Sequence, residues 1–439
     1  MYLYHKISNE IKTDIKDNKF SKKLPSVRQL MKYYDVSQST IIKALELLKL
    51  ENYIYVKKNN GYYLVTKREF ANKNTYLDFS TTSTSWSAFP LEDYAKCLEQ
   101  VIIQKKNDLF QYGNEKGEES LRDQFRKLLL KDFIYTDTNK IIITSGSQQA
   151  LHILTLMILQ EGSKILIEQP TYHHMINIIE TMDVNYAVYE HNLCSLDIDK
   201  FEEIIINCKP KYVYLMPRLH NPLGTNLSEN HKLKIVKLAK KYDFYIIEDD
   251  YMGDFKTNHN YHTIYELDNF ERVFYLKSFS KIMFPGQRMA VCVVPYNFIE
   301  GFSNFKKIID IQTNTLSQSA MQMFIESGMY EYHVGKIIDD YKNKSKKLQN
   351  SLKKYFDVNQ FNLNQDMHTI LKLPKNTNMT KLYQLFKEEY ILIDDYRLNY
   401  IKEAFYNPKF IKLNVMNIDE DIIDKGILKI KKCIELCTE

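Results

Sequence analysis

Leu3, Ile7, Ile11 and Ile15 recur at every fourth position, the stripe of an amphipathic helix. Within Lys22-Lys-Leu-Pro-Ser-Val-Arg-Gln-Leu30, Pro25 and Ser26 mark the start of a second helix, which the pattern ends near Tyr34-Asp35. Ser37 can cap a third helix whose inner face is Ile41, Ala44, Leu45 and Leu48. Two short helices with a tight turn between them describe a helix-turn-helix. Tyr53 to Tyr55 and Tyr62 to Val65 read as strands around Lys57-Lys-Asn-Asn-Gly61, a hairpin or wing. Residues 1–66 therefore form one domain, and the polar residues 67–77 a short linker of limited reach.

From residue 78 to 439 the period changes. Ile141–Ile143, Ile165–Ile167, Tyr212–Leu215, Tyr245–Ile247, Val273–Leu276 and Ala290–Val294 are apolar runs separated by helical stretches. Continuous apolar strands alternating with helices predict an α/β domain with a mostly parallel sheet covered on both faces. From about residue 330 the pattern shifts to a smaller α+β part.

The chain has 439 residues, 26% charged and 44% hydrophobic, which suits two or three domains. No apolar run is long enough for a membrane span, and no secretory leader is read at the N-terminus. Cys97, Cys194, Cys208, Cys292, Cys433 and Cys437 match no disulfide or zinc spacing, so they read as reduced thiols of a cytoplasmic protein. Residues 1–75 carry 15 Lys and Arg against 7 Asp and Glu, a surplus of eight; the whole chain is +5, leaving −3 on the remainder. A basic head on a mildly acidic body suggests that only the head meets a polyanion.

The strongest chemical signal is Tyr275-Leu-Lys-Ser-Phe-Ser-Lys-Ile-Met-Phe-Pro-Gly-Gln-Arg288. A lysine amine, here Lys281, can condense with an aldehyde to a Schiff base. Ser278, Ser280 and Arg288 can hold a phosphate. A phosphorylated aldehyde suits this combination, and pyridoxal 5'-phosphate (PLP) is the obvious one. Other signals follow in order along the sheet. Thr144-Ser-Gly-Ser-Gln-Gln-Ala150 opens a helix after a strand and offers N–H groups to a phosphate, with Ser147 and Gln148 as contacts. Tyr172 can stack on a flat ring. Asn221 could donate to a phenolic oxygen, with Tyr251 joining it. Asp249, a carboxylate at a buried strand end, needs a partner, and a pyridinium nitrogen would serve. Asp250 reads as an ordinary solvated acid. Ligands of open α/β sheets sit at strand carboxyl ends, where all these residues fall.

Two resemblances rest on these residues. Leu-Pro-Ser-x-Arg with Val-Ser-x-Ser-Thr resembles the winged helix-turn-helix of the GntR family. It implies that Arg28, Ser37, Gln38, Ser39, Thr40 and Lys43 face double-stranded operator DNA, with Gly61 at the wing tip. Many members carry Arg where this chain has Gln38. Ser-Gly-Ser-Gln-Gln-Ala, Asn-Pro-x-Gly, Glu-Asp-Asp-Tyr and Ser-Phe-Ser-Lys together resemble the fold-type I aminotransferases over roughly residues 78–435. Tyr112-Gly-x-x-x-Gly117 looks like the segment that sends a tyrosine to the phosphate of the neighbouring subunit. The two parts joined resemble the MocR-type regulators, which implies a homodimer with interfacial sites and PLP, free or as an adduct with an amino compound, governing DNA binding.

The chain departs from the aminotransferase pattern at Lys412, where the family carries a carboxylate-clamping arginine. His174, Arg218 or Arg397 could compensate, though each reads first as structural or surface. Three readings follow, in this order. The first is a regulator that senses PLP itself, linked to vitamin B6 supply. The second is a regulator that answers an amino compound joined to PLP. The third is a working aminotransferase with an appended head.

Overall fold

The computed structural model describes residues 3–17, 19–20, 22–50, 53–57, 61–64, 76–85, 88–191, 196–255, 261–362, 368–401 and 409–438. The chain divides into two compact units, Met1–Thr75 and Tyr76–Glu439. Cys194, Val65 and the expected linker up to residue 75 lie outside the described residues.

The first unit holds α1 (Leu3–Lys16), α2 (Val27–Tyr34), α3 (Gln38–Leu50), β1 (Ile54–Lys57) and β2 (Gly61–Leu64). Ser26 caps α2, and its backbone N–H donates to the Gln29 side chain at 2.8 Å, a closed capping box. Asp35 ends that helix in the left-handed region at φ 50°. Ser37 Oγ accepts from Thr40 N at 3.4 Å, the expected cap of α3. Ile41, Ala44, Leu45 and Leu48 are fully buried with Ile7 and Ile11. Leu3, counted in the first stripe, is exposed at the first turn of α1. β1 and β2 pair antiparallel, Ile54 opposite Leu64. Residues 22–24 add a short third edge that the sequence did not suggest: Leu24 N donates to Tyr62 O at 2.9 Å.

In the second unit β3 (Leu77–Asp78) leads into a seven-stranded sheet. Its strands are β4 (Ile141–Thr144), β5 (Ile165–Gln169), β6 (Tyr186–Glu190), β7 (Tyr212–Leu215), β8 (Tyr245–Asp250), β9 (Val273–Ser278) and β10 (Ala290–Val293). The order is β4-β10-β9-β8-β7-β5-β6, and β10 alone runs against its two neighbours. The six apolar runs all became strands. β6 was missed because it is an edge strand, half-buried and without a continuous apolar run. A smaller part pairs β11 (His368–Lys372) with β13 (Phe410–Asn414), and β12 (Ile391–Leu392) with β3. Helices Met329–Tyr355 and Glu420–Glu435 pack on it.

Lys277 in β9 is 2% exposed and meets Asp132 and Asp254, each at 2.9 Å. Removing its ammonium strands two carboxylates. We expect Lys277→Met to lower unfolding free energy by about 3–5 kcal/mol, measured by urea denaturation; a loss within experimental error would show that those carboxylates reach solvent.

Candidate functional site

Six strand ends meet at one edge of the sheet. β4, β5, β7, β8 and β9 deliver their carboxyl ends there, and β10, running oppositely, delivers its start. A cavity of about 160 Å³ opens at that edge. It gathers Ser147 and Gln148 after β4, Tyr172 after β5, and Asn221 after β7. Asp249 and Tyr251 come from the end of β8, Ser278, Ser280 and Lys281 from the end of β9, and Arg288 from just before β10. Ten residues singled out from the sequence thus share one cavity. Thr82, Met216 and Pro285 complete its wall.

Three consecutive acids end β8, and strand alternation sorts them. Asp249 faces the cavity. Its Oδ2 accepts from Tyr214 OH at 2.7 Å, whereas its Oδ1 is buried with no hydrogen-bond partner. Burial pushes this carboxyl up to about 7, against the lowering effect of Tyr214. Glu248 accepts from Ile264 N and Tyr265 N at 2.9 and 2.8 Å. Asp250 is not the solvated acid expected. It is 1% exposed, lies 3.1 Å from Arg218 Nε in an ion pair without hydrogen-bond alignment, and accepts from Tyr275 OH at 2.8 Å. A strand buried on both faces leaves no solvated position for a third carboxylate.

Lys281 Nζ donates to Thr82 Oγ1 at 2.5 Å. Burial first, then the Lys412 ammonium, lowers this amine to about 8; Asp394 and Asp249 oppose the shift. At the other end of the cavity, Gly146 precedes the helix Ser147–Gln160 at φ 87°. A Cβ on Gly146 would come within 2.8 Å of Arg288 Nη2, so only glycine leaves the guanidinium its place. Arg288 Nη2 also donates to Ser145 O at 3.1 Å. Gln148 Oε1 is buried without a partner, and Ser278 Oγ accepts from Ser280 N at 3.3 Å. The Tyr172 ring is half-buried at the start of helix His173–Thr181, and its phenol is pushed up by burial. Tyr251 OH donates to Leu219 O at 2.9 Å, so its one proton is already engaged.

The compensating residues are spread out. Lys412 is buried, donates to Asn221 Oδ1 at 3.1 Å and stands 3.7 Å from Asp394 Oδ2. Arg218 is held by Asp250 and donates to Gly253 O at 3.0 Å, and Arg397 is bound to Asp395. Neither lines the cavity. His174 is exposed, edge-on to Tyr172. Its neighbour His173, which the sequence did not single out, is pushed down to about 4 by burial and by the positive groups His174, Lys412 and Lys281. Tyr112 is 83% exposed and lies apart from this cavity. Thr82, Tyr214 and Asp394 were also missed, since no local motif marks a partner supplied from a distant segment.

In the first unit, Arg28, Ser37, Gln38, Ser39, Lys43 and Gly61 are exposed and Thr40 is half-buried. Ser37 Oγ lies 3.0 Å from Ser39 Oγ and 2.9 Å from Thr40 Oγ1, a hydroxyl cluster at the start of α3. Gly61 has φ 93° where β2 begins.

Residues 72–430 match the family described as aminotransferase class I and II, and residues 3–64 match the bacterial regulatory proteins of the gntR family. The chain is similar to the uncharacterized HTH-type transcriptional regulator YcxD of Bacillus subtilis, 37% identical over 92% of this chain and 93% of that protein. It is 27% identical to the HTH-type transcriptional regulator NorG of Staphylococcus aureus, over 76% of this chain and 82% of that one. The kynurenine aminotransferase of Pyrococcus horikoshii, solved with PMP, shares the fold at a TM-score of 0.75 and 25% identity, covering 89% of this chain and 99% of that one.

The lowered amine leads to a pH prediction. A lysine depressed to about 8 is a neutral nucleophile above that pH, where an ordinary lysine is still charged. Amine-directed labelling of Lys281 in ligand-free protein, followed by peptide mass spectrometry, is expected to rise with a midpoint near 8. Lys412→Gln removes a like charge and should move that midpoint upward; a midpoint above 10 in the wild type would contradict the burial argument.

Proposed function

The chain belongs to the class I and II aminotransferase family and is a transcriptional regulator with a gntR-family head, and from that premise we propose that its large unit senses PLP and passes the result to DNA binding. The observation that carries this reading is the pairing, in one cavity, of a desolvated lysine amine with a buried carboxylate whose free oxygen has no partner. The residues fit the coenzyme. Lys281 would hold its aldehyde carbon and Asp249 Oδ1 its ring N–H. Tyr172 would lie on the ring face, and the Asn221 amide would donate to the phenolic oxygen. Tyr251 can only accept there while it donates to Leu219. The N–H groups of Ser147 and Gln148, with Ser278, Ser280 and Arg288, would hold the phosphate. Bound there, PLP supplies an electrophilic carbonyl carbon on an electron-withdrawing ring. The chain's own residues orient it, exclude water and keep a proton on the ring nitrogen. The PMP bound to the Pyrococcus relative is the amine form of the same coenzyme and supports this fit.

Carboxylate capture is altered. A bidentate guanidinium is replaced by Lys412, whose ammonium already faces Asn221 and Asp394. PLP sensing, with a link to vitamin B6 supply, needs no such clamp. The Lys412–Asp394 pair also favours the second reading, an amino compound without an α-carboxylate joined to PLP, because Asp394 would repel an anion. A working aminotransferase for ordinary amino acids is the reading this pair favours least.

Coupling to the head is a linkage effect: the ligand biases one arrangement of the two DNA-binding units, and operator DNA binds that arrangement better. A homodimer with interfacial sites belongs to the same reading. Phe110 and Tyr112, 92% and 83% exposed in the single chain, suit a surface that a second copy covers. No helix among the described residues is long and apolar enough to cross a membrane. A cytoplasmic location completes the proposal.

Purified protein loaded with PLP should absorb in the visible, and Lys281→Ala should abolish that band. Titrating PLP into coenzyme-free protein on its own promoter should change DNA affinity at negligible transaminase turnover. A response that needs an added amine selects the second reading, and sustained turnover selects the enzyme. Arg28→Ala should weaken operator binding about 5- to 150-fold while PLP uptake persists; undiminished affinity in a gel-shift titration would remove Arg28 from the DNA face.

A further inference from the structure

Lys281 is held from two sides by one short segment that no motif marks. Thr82 Oγ1 accepts from the amine at 2.5 Å. Two residues on, Thr84 Oγ1 donates to Lys281 O at 2.7 Å and to Ile282 O at 3.3 Å. The segment is itself anchored. Asp78 Oδ1 accepts from Ser80 N and Thr81 N, both at 3.0 Å, and from Ser80 Oγ at 2.8 Å; its Oδ2 accepts from Asn417 Nδ2 at 2.8 Å. Asp78 lies in β3, where the chain coming from the first unit enters the second. The residues that grip the lysine therefore lie within a few positions of the start of the second unit at Tyr76.

The amine cannot keep this contact unchanged when it captures an aldehyde. Condensation forms a carbon–nitrogen double bond. The carbonyl oxygen leaves as water and takes two hydrogens from the nitrogen in net. The nitrogen then keeps at most one hydrogen, fixed in the plane of the new double bond. A free ammonium has three donors on a rotating tip. Half-buried Thr82 loses its donor or must move to follow it.

We propose that Thr82 is a positioning residue for the free amine of Lys281, and that release of this hydrogen bond on aldehyde capture is how residues 80–84 relay the event back along the chain. The proposal rests on the PLP reading above and adds a route to it. It requires an element with two arrangements that both ligands bias.

The test uses the full chain and reads DNA affinity with and without saturating PLP, loading being verified by absorbance. In the wild type the two affinities should differ about 5- to 150-fold. Thr82→Val keeps the shape but cannot accept from the amine, so the ratio should fall to within about twofold of one. Thr82→Ser, which retains the hydroxyl, should restore it. Thr84→Val, loosening the lysine from its backbone side, should lower the ratio as well. Thr82→Val with the full wild-type ratio, or Thr82→Ser failing as Val does, overturns the relay alone. Wild-type protein that takes up PLP with no change in DNA affinity overturns the sensing reading and the relay with it.

Discussion

A carboxyl group that is 1% exposed, with one oxygen unmatched, is the constraint around which the large unit is arranged. Burying such a group costs several kcal/mol unless something meets it. Asp249 stands at the end of a central strand, flanked by Glu248 and Asp250, and both neighbours have donors of their own. Of the two acids that face away from the cavity, Glu248 takes two backbone N–H groups and Asp250 has the Tyr275 hydroxyl and the Arg218 charge, whereas the third opens toward the cavity. Desolvation at this spot also sets the lysine: the same water-poor cavity that raises the Asp249 carboxyl lowers the Lys281 amine. One environment thus sets a carboxylate and an amine in the same cavity, the two groups that the proposed coenzyme would need at its ring nitrogen and its aldehyde carbon.

Much of this was legible in the chain, for a definite reason. Strands buried on both faces are written as runs such as Ile141–Ile143, and four of the six runs are followed at once by a polar residue, Thr144, Glu168, Glu248 or Lys277. Ser147, Asn221, Asp249 and Lys281 could be placed at one edge because parallel strands put like ends together. In the head, the inner face of α3 and the cap at Ser26 were legible because helix period and cap chemistry are local. What sequence alone did not show is what depends on distant segments. Thr82 and Asp394 lie far in sequence from Lys281 and Lys412, and no spacing rule links them. Asp250 was misread because a third acid in a row looks solvated until Arg218 is seen beside it. β6 was missed because an edge strand need not be apolar throughout.

The two units divide the electrostatic work. The head carries the positive surplus and the body a small negative balance. The start of α3 exposes the hydroxyls of Ser37 and Ser39 with Gln38 between them, and Lys43 follows on the next turn, the residue types that hold phosphates and read base edges in the proposed DNA contact. A body of opposite sign gains nothing from approaching DNA, which keeps long-range attraction confined to the reading surface.

The reversal of β10 has a consequence for how the gene can vary. Because β9 and β10 are adjacent and antiparallel, residues 279–289 leave one edge of the sheet and return to it, and Lys281 and Arg288 both hang from that short return. Losing one codon there would leave β10 in the register that β4 and β9 fix, and would shorten the return itself, drawing Lys281 or Arg288 out of place in the cavity. Length changes should therefore be purged from this stretch far more strictly than replacements, and drift in the lineage should accumulate in connections that hold neither residue.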